Sequence, residues 1–261
     1  MAKVDYEQFD GIAVVTLNRP DSLNALDDEM HAELPVIWSR IGADPAARAI
    51  VITGTGRGFC VGMDLKRVGE QGFRTPSSDR VEDLMRMTPL NNDVWLPTIV
   101  AVNGICAGGG LHFVADADVV LAAADASFVD THVAVGQVTA LEPISLMPRI
   151  GLGGALRLAV LGRAGQVDAA TALRIGLVDE VTEPHALRDR AIELARAAAT
   201  GSPAAIERTK RAIRASLELP HSEAMQAGWD SIRAHREHPD ALEGPRAFTE
   251  KRDPVWATSR A

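Results

Sequence analysis

Ile12-Ala13-Val14-Val15-Thr16-Leu17 is an apolar, β-branched run bounded by Gly11 on one side and Asn18-Arg19-Pro20 on the other. A run of this kind between turn residues predicts a strand, and the lack of polar alternation predicts burial on both of its faces. From Leu26 the apolar residues fall at helical spacing through Met30, Leu34, Ile37 and Ile41, with Gly42 as the expected stop. Ala49-Ile50-Val51-Ile52-Thr53, closed by Gly54, reads as a second strand. Strand, helix and strand within ~40 residues make a βαβ unit, which implies a parallel connection. Thr98-Ile99-Val100-Ala101-Val102 and Val119-Val120-Leu121-Ala122 add two more all-apolar strands. The expected fold class is a layered α/β core with helices over the sheet.

The last third changes character. Leu187, Ala191, Leu194, Ala195 and Ala198 form one helical stripe, and Gly201-Ser202-Pro203 then punctuates the chain. Ser202 is placed to cap a helix that starts at Pro203. Ile206, Ile213 and Leu217 line that helix to Leu219-Pro220, and Ser222 restarts another through Met225, Trp229 and Ile232. These helices are too thin to bury their own stripes. The expected division is an α/β core over residues 1–200 and a helical oligomerisation region over 201–261.

Composition narrows the function. The 261 residues carry 27 basic and 35 acidic side chains, a net charge of −8, which disfavours a nucleic-acid partner. Cys60 and Cys106 have no metal-ligand spacing and read as reduced, buried thiols. MAKVDYEQFD has no apolar signal region, and no apolar run was seen to approach the ~20 residues of a membrane span. A cytoplasmic protein with no membrane partner is the expectation.

Two glycine clusters follow strands: Gly54-Thr55-Gly56-Arg57-Gly58-Phe59 and Asn103-Gly104-Ile105-Cys106-Ala107-Gly108-Gly109-Gly110. Neither is a dinucleotide or phosphate loop, since Phe59 breaks GxGxxG and no Gly-Lys-Ser/Thr is present. Both read first as tight turns, yet turns after strands also expose backbone N–H groups, and two such donors make an oxyanion hole.

With these segments in order, the chain resembles the crotonase (enoyl-CoA hydratase/isomerase) superfamily. The matching pieces are Val15-Thr16-Leu17-Asn18-Arg19-Pro20 with Leu23-Asn24-Ala25-Leu26, then Phe59-Cys60-Val61-Gly62-Met63-Asp64-Leu65. Pro97-Thr98-Ile99-Val100-Ala101-Val102-Asn103-Gly104 follows, running into Ala107-Gly108-Gly109-Gly110, and Glu243-Gly244-Pro245-Arg246-Ala247-Phe248 resembles the closing helix. The resemblance implies a spiral of ββα units with a helical C-terminal trimerisation region, assembled as a homotrimer or a dimer of trimers. It implies an acyl-CoA substrate, coenzyme A entering as part of that substrate and not as a bound cofactor. It places the oxyanion donors on the Met63 and Gly109 backbone, with Gly62 and Gly108 beside them as binding residues for the CoA ester. Asp64, Leu65 and Lys66 would follow the pantetheine path, Lys66 reaching a phosphate, with Ala25 and Leu26 at the adenine end. Glu70 to Asn92 resembles the variable acyl-pocket segment.

The catalytic positions depart from the family. Where hydratases carry two glutamates, this chain has His112 and His132, a register supported by the stretch 116–123 between them, read as a strand. A histidine in an apolar stretch is ordinarily a packed residue, and that reading holds for His31, His185, His221, His235 and His238. Two histidines at the two catalytic positions point instead to proton transfer. The expected roles are His132 as base toward water and His112 as its orienting partner. Asp130 and Glu142 are the carboxylates near enough to orient His132, although Glu142 before Pro143 reads first as a helix-start residue. No spacing supplies a third metal ligand, so no metal is expected. Arg208, Lys210, Arg211 and Arg214 read as a solvated helix face. The expected function is an enoyl-CoA hydratase-like lyase. The alternatives are a C–C or thioester hydrolase using histidine-activated water, and a non-catalytic CoA-ester-binding protein.

Overall fold

Val4–Phe9 (β1) turns through Asp10-Gly11 into Ile12–Leu17 (β2), with Phe9 opposite Ile12. Both turn residues have positive φ, 50° at Asp10 and 78° at Gly11, as a tight two-residue hairpin requires. The computed structural model describes residues 2–72 and 80–257 of the chain. β2 then pairs in parallel with Ala49–Gly54 (β3), Ile12 beside Ala49, across the connecting helix Asp28–Ala43 (α1). That is the βαβ unit the apolar pattern implies.

α1 starts later than its first apolar residue. Asp27 caps it, accepting from Met30 N–H at 3.0 Å, so Leu26 lies before the helix. Gly42 sits inside the last turn and does not end it. A Cβ there would come within 3.1 Å of the Val94 side chain, so the glycine serves close packing. Met30, Leu34, Trp38 and Ile41 form the buried face.

The chain then alternates between two sheets. After β3 come Gly58–Cys60 (β4) and the helices Leu65–Gln71 (α2) and Val81–Leu84 (α3). Thr98–Val102 (β5), Ile105–Ala107 (β6) and Leu111–Asp116 (α4) repeat the pattern, as do Val119–Ala123 (β7), Ser127–Val129 (β8) and Leu141–Leu161 (α5). Val167–Asp168 (β9), Ala169–Arg174 (α6) and Glu180–Thr182 (β10) complete the sheets. The larger has the order β1-β2-β3-β5-β7-β10 and the smaller β4-β6-β8-β9. The pairs β3–β4, β5–β6 and β7–β8 each put the first strand in the large sheet and the second in the small one, which is the spiral of ββα units. Asp116 closes α4, so the strand expected over 116–123 begins only at Val119. Cys60 and Cys106 are register partners on β4 and β6, and burial pushes the Cys60 thiol up to about 12.

Leu187–Ala199 (α7) packs Leu187, Ala191 and Ala195 into the core. Ser202 caps Pro203–Ala215 (α8), accepting from Ala205 N–H at 3.1 Å, with Pro203 in the first turn. His221–His235 (α9) begins one residue before Ser222, and Asp240–Glu250 (α10) follows. The basic group on α8 is not a solvated face. Lys210 Nζ lies 2.6 Å from both Asp118 Oδ2 and the Leu96 carbonyl. Arg214 donates to the Asp116 carbonyl at 2.7 Å, and Arg211 stacks 4.3 Å over Trp95. These cations fasten α8 to the α/β body.

Leu141–Gly165 is long and apolar enough to cross a membrane, a stretch the reading of the sequence did not count. Gly151, at φ 67°, breaks the helix within it. Residues 73–79, part of the expected acyl-pocket segment, and 258–261 lie outside the described residues.

Candidate active site

Two side-chain amides bring the glycine turns together. Asn24, buried and at φ 57°, accepts from Arg19 N–H at 2.7 Å and donates to the Thr55 and Gly58 carbonyls at 3.0 and 2.8 Å. Asn103 accepts from Gly54 N–H at 3.0 Å and donates to the Gly56 and Gly58 carbonyls at 2.9 and 3.1 Å. Beyond this knot Leu26 N–H donates to the Gly62 carbonyl at 2.7 Å, and Asp64 N–H to the Leu26 carbonyl at 3.2 Å. A parallel bridge of that form turns the intervening Met63 N–H away from Leu26. Gly62, at φ 77°, backs against the glycine run, and a Cβ on it would fall 2.6 Å from Gly109 N. Gly109 is the second residue of the turn Gly108–Gly110, where a helical N–H has no carbonyl upstream to bond. Among the described residues the Met63 and Gly109 amides have no hydrogen-bond partner, and the two come from neighbouring turns.

A cavity of about 720 Å³ runs alongside, with Ala25, Met63, Asp64, Leu65 and Lys66 among its lining residues. Leu26 does not line it. Its side chain is buried, with Cδ1 3.6 Å from where a Gly109 Cβ would stand. The Asp64 carboxylate is already engaged, 3.1 Å from Arg19 and capping α2 through Arg67 N–H. Arg163, on the turn after α5, also lines the cavity, and the sequence reading missed it. Its only signal was a cation after Gly162 in an apolar stretch.

His112 and His132 meet at one carboxylate. His112 is on α4 and only 2% exposed. Its Nε2 lies 3.4 Å from Glu142 Oε1. The same oxygen is 3.7 Å from His132 Nε2. On its other side, His132 Nδ1 is 2.7 Å from Asp130 Oδ1, which also accepts from the His132 backbone N–H at 3.0 Å. Thr139 donates to the second Asp130 oxygen. The His132 ring lies over the glycine run, its Cε1 3.4 Å from where a Gly108 Cβ would stand. Glu142 does sit in the first turn of α5, but its buried carboxylate is turned to the histidines and does more than start a helix.

The electrostatics divide the group. The bond from Asp130 raises the His132 pKa above its ordinary value; burial opposes the shift and the Glu142 charge adds to it. Burial alone would raise Glu142, but the His112 contact, its backbone bond and the two imidazoles hold it below the usual carboxylate value. Asp130 is lowered in the same way, burial being outweighed by the His132 and Thr139 bonds. The arrangement is an anionic carboxylate facing a ring biased toward its cationic form.

Residues 7–259 match the family model for enoyl-CoA hydratase/isomerase. The chain belongs to this family. It is 33% identical over 254 residues to the (E)-benzylidenesuccinyl-CoA hydratase of Thauera aromatica, covering 97% of this chain and 98% of that protein. It is 34% identical to the 1,2-epoxyphenylacetyl-CoA isomerase of Escherichia coli, covering 94% and 95%. Among solved structures, an enoyl-CoA hydratase/isomerase from Mycobacterium paratuberculosis superimposes with a TM-score of 0.91 at 35% identity, covering 98% of this chain and 99% of that one. Enoyl-CoA hydratase/isomerase membership accounts for the spiral of ββα units and for the two glycine turns. Where the family resemblance leads one to expect two glutamates, His112 and His132 both face a carboxylate that arrives from α5.

Proposed function

We propose that this chain is an acyl-CoA-processing enzyme that adds water across, or moves protons within, a short 2-enoyl thioester. The observation that carries the reading is Glu142 Oε1 lying between His112 Nε2 and His132 Nε2, next to the unpaired Met63 and Gly109 amides. Met63 and Gly109 form the oxyanion hole, and the cavity past Lys66 takes the coenzyme A portion.

In the hydration direction, Glu142 takes a proton from water and the hydroxyl adds to Cβ. The C=C electron pair moves through Cα to the thioester oxygen, held by the two amides. His132, paired to Asp130, returns a proton from Nε2 to Cα and is then reprotonated by Glu142. His112 orients the carboxylate and water. Relative to the sequence expectation, the base is Glu142 and the histidine pair assists, because a ring bonded to Asp130 is biased toward its protonated form and so enters the cycle carrying the proton.

A short trans-2-enoyl-CoA such as crotonyl-CoA tests this. Formation of 3-hydroxyacyl-CoA by mass spectrometry is the expected result. Free CoA supports the hydrolase alternative, and tight binding without turnover supports a CoA-ester-binding protein. The exposed apolar faces of α5 (Ile144, Leu152, Leu156) and α9 (Met225, Trp229, Ile232) support a homotrimer or a dimer of trimers. Light scattering that shows only monomer counts against that assembly. A cytoplasmic location, with no nucleic-acid or membrane partner, belongs to the same proposal.

A further inference from the structure

α5 begins without a capping side chain. Its N-cap position is Ala140, which offers no oxygen to the first-turn amides. The approach to it is no firmer. The turn after His132 closes on itself through Gln137 N–H to the His132 carbonyl at 2.9 Å, and the bond from Ile144 N–H to the Ala140 carbonyl at 3.0 Å already belongs to the helix. Val133, Val135 and Val138 in this stretch are exposed, Val138 to 89%. Glu142, in the first turn of α5, still has to be held closely, because its Oε1 faces two imidazoles at once. The carboxylates of Asp130 and Glu142 also come within 4.8 Å of one another, and like charges that close push apart unless something joins them.

Thr139 supplies the tether. Asp130 is 1% exposed, and its Oδ1 is taken by His132 twice, through the ring Nδ1 and the backbone N–H. Its Oδ2 takes the Thr139 hydroxyl. Leaving that buried oxygen without a donor is costly, so the bond holds. Asp130 is itself fixed by the end of β8 and by His132, so the bond fixes Thr139 and not the reverse. The same hydroxyl oxygen lies 3.5 Å from Glu142 Oε2. A hydroxyl has one hydrogen, and here it points to Asp130; toward Glu142 it presents lone pairs and sets a distance. The titratable groups that face Glu142 are then His112 from α4, and His132 and Asp130 from the segment after β8. We propose that Thr139 is the positioning residue for Glu142: bonded to Asp130, it pins the start of α5 and holds the Glu142 carboxylate between His112 and His132. The catalytic consequence rests on the acyl-CoA reading above. The placement rests on the bonds alone.

Thr139→Val keeps the shape and removes the hydroxyl, whereas Thr139→Ser keeps the hydroxyl. With crotonyl-CoA, Thr139→Val should lower kcat by roughly 10- to 100-fold with KM little changed, and Thr139→Ser should recover most of it. Burial acts to raise the Glu142 pKa, and the His112 contact and the two imidazole charges hold it below the usual carboxylate value. Once Glu142 drifts from them burial dominates. The acid limb of the pH profile should therefore move up in Thr139→Val and stay in place in Thr139→Ser. Carbon-13 NMR of labelled glutamate reads the same upward shift in the free protein, the Glu142 signal being identified by its absence in Glu142→Gln. An unshifted Glu142 titration in Thr139→Val, or equal defects in Thr139→Val and Thr139→Ser, overturns the proposal. So does a lower melting temperature with kcat and the acid limb unmoved, which would make Thr139 a stabiliser of the turn alone. The titration needs no substrate, so a protein whose Glu142 signal shifts while no CoA ester is processed fails the functional reading and keeps the positioning role.

Discussion

Asp130 Oδ1 and His132 Nδ1 are 2.7 Å apart, and that bond decides which face of the imidazole is presented to the reaction. With Nδ1 committed, Nε2 alone faces Glu142 and the glycine run.

Asp130→Asn keeps the shape and removes the charge. It should lower kcat by on the order of 10²-fold or more with little change in KM, since Asp130 does not touch substrate. The His132 pKa, followed by NMR, should fall in the same variant. An unchanged pKa would detach Asp130 from the chemistry.

Glu142→Gln should cost on the order of 10²–10⁴ in kcat, the range for removal of a general base. Coenzyme A ester binding, measured by calorimetry, should be kept. If Glu142 only starts α5, Glu142→Gln will change stability and leave kcat alone.

The pH dependence has a defined sign. His132 acts as an acid and its pKa is raised above 6.5, so activity should fall as pH climbs through that raised value. Glu142 acts as a base and lies below 4.5, so the acid limb falls only under that value. Stability shares the alkaline limb. The His132–Asp130 contribution is complete below the unfolded histidine value of ~6.5 and is lost as pH rises through the native one. A single limb that falls on acidification near 6.5 would make His132 the base.

Gly109 separates backbone chemistry from side-chain space. A Cβ there meets its nearest atoms at 3.5 and 3.6 Å, ordinary contact, so Gly109→Ala should keep most activity. Gly109→Pro removes the N–H and should cost ~10²–10³ in rate. Equal rates for the two variants would remove Gly109 from the oxyanion hole.

Asn24→Ala strands the Arg19 N–H donor and the Thr55 carbonyl and leaves the Gly58 carbonyl with Asn103 alone. Urea unfolding should show a loss of about 2 kcal/mol or more. The turns carrying Met63 and Gly109 should loosen with it, which would raise KM.

The sequence by itself determined what depends on neighbours along the chain. The run from Ile12 to Leu17, the cap at Ser202 and the start at Pro203 are local preferences, and the structure shows each where it was read. The order of the glycine turns sufficed for family membership. β1 was missed because its alternating Val4-Asp5-Tyr6-Glu7 pattern is that of an edge strand paired on one side only. What the tertiary structure alone decided was which distant side chains share a space. Lys210 looks like a surface cation until α8 lies over Asp118 and the Leu96 carbonyl. Glu142 is thirty residues after His112, and nothing local directs its carboxylate to that ring. Only the packing of α5 against α4 does so, and a contact made by packing leaves no period or spacing to read.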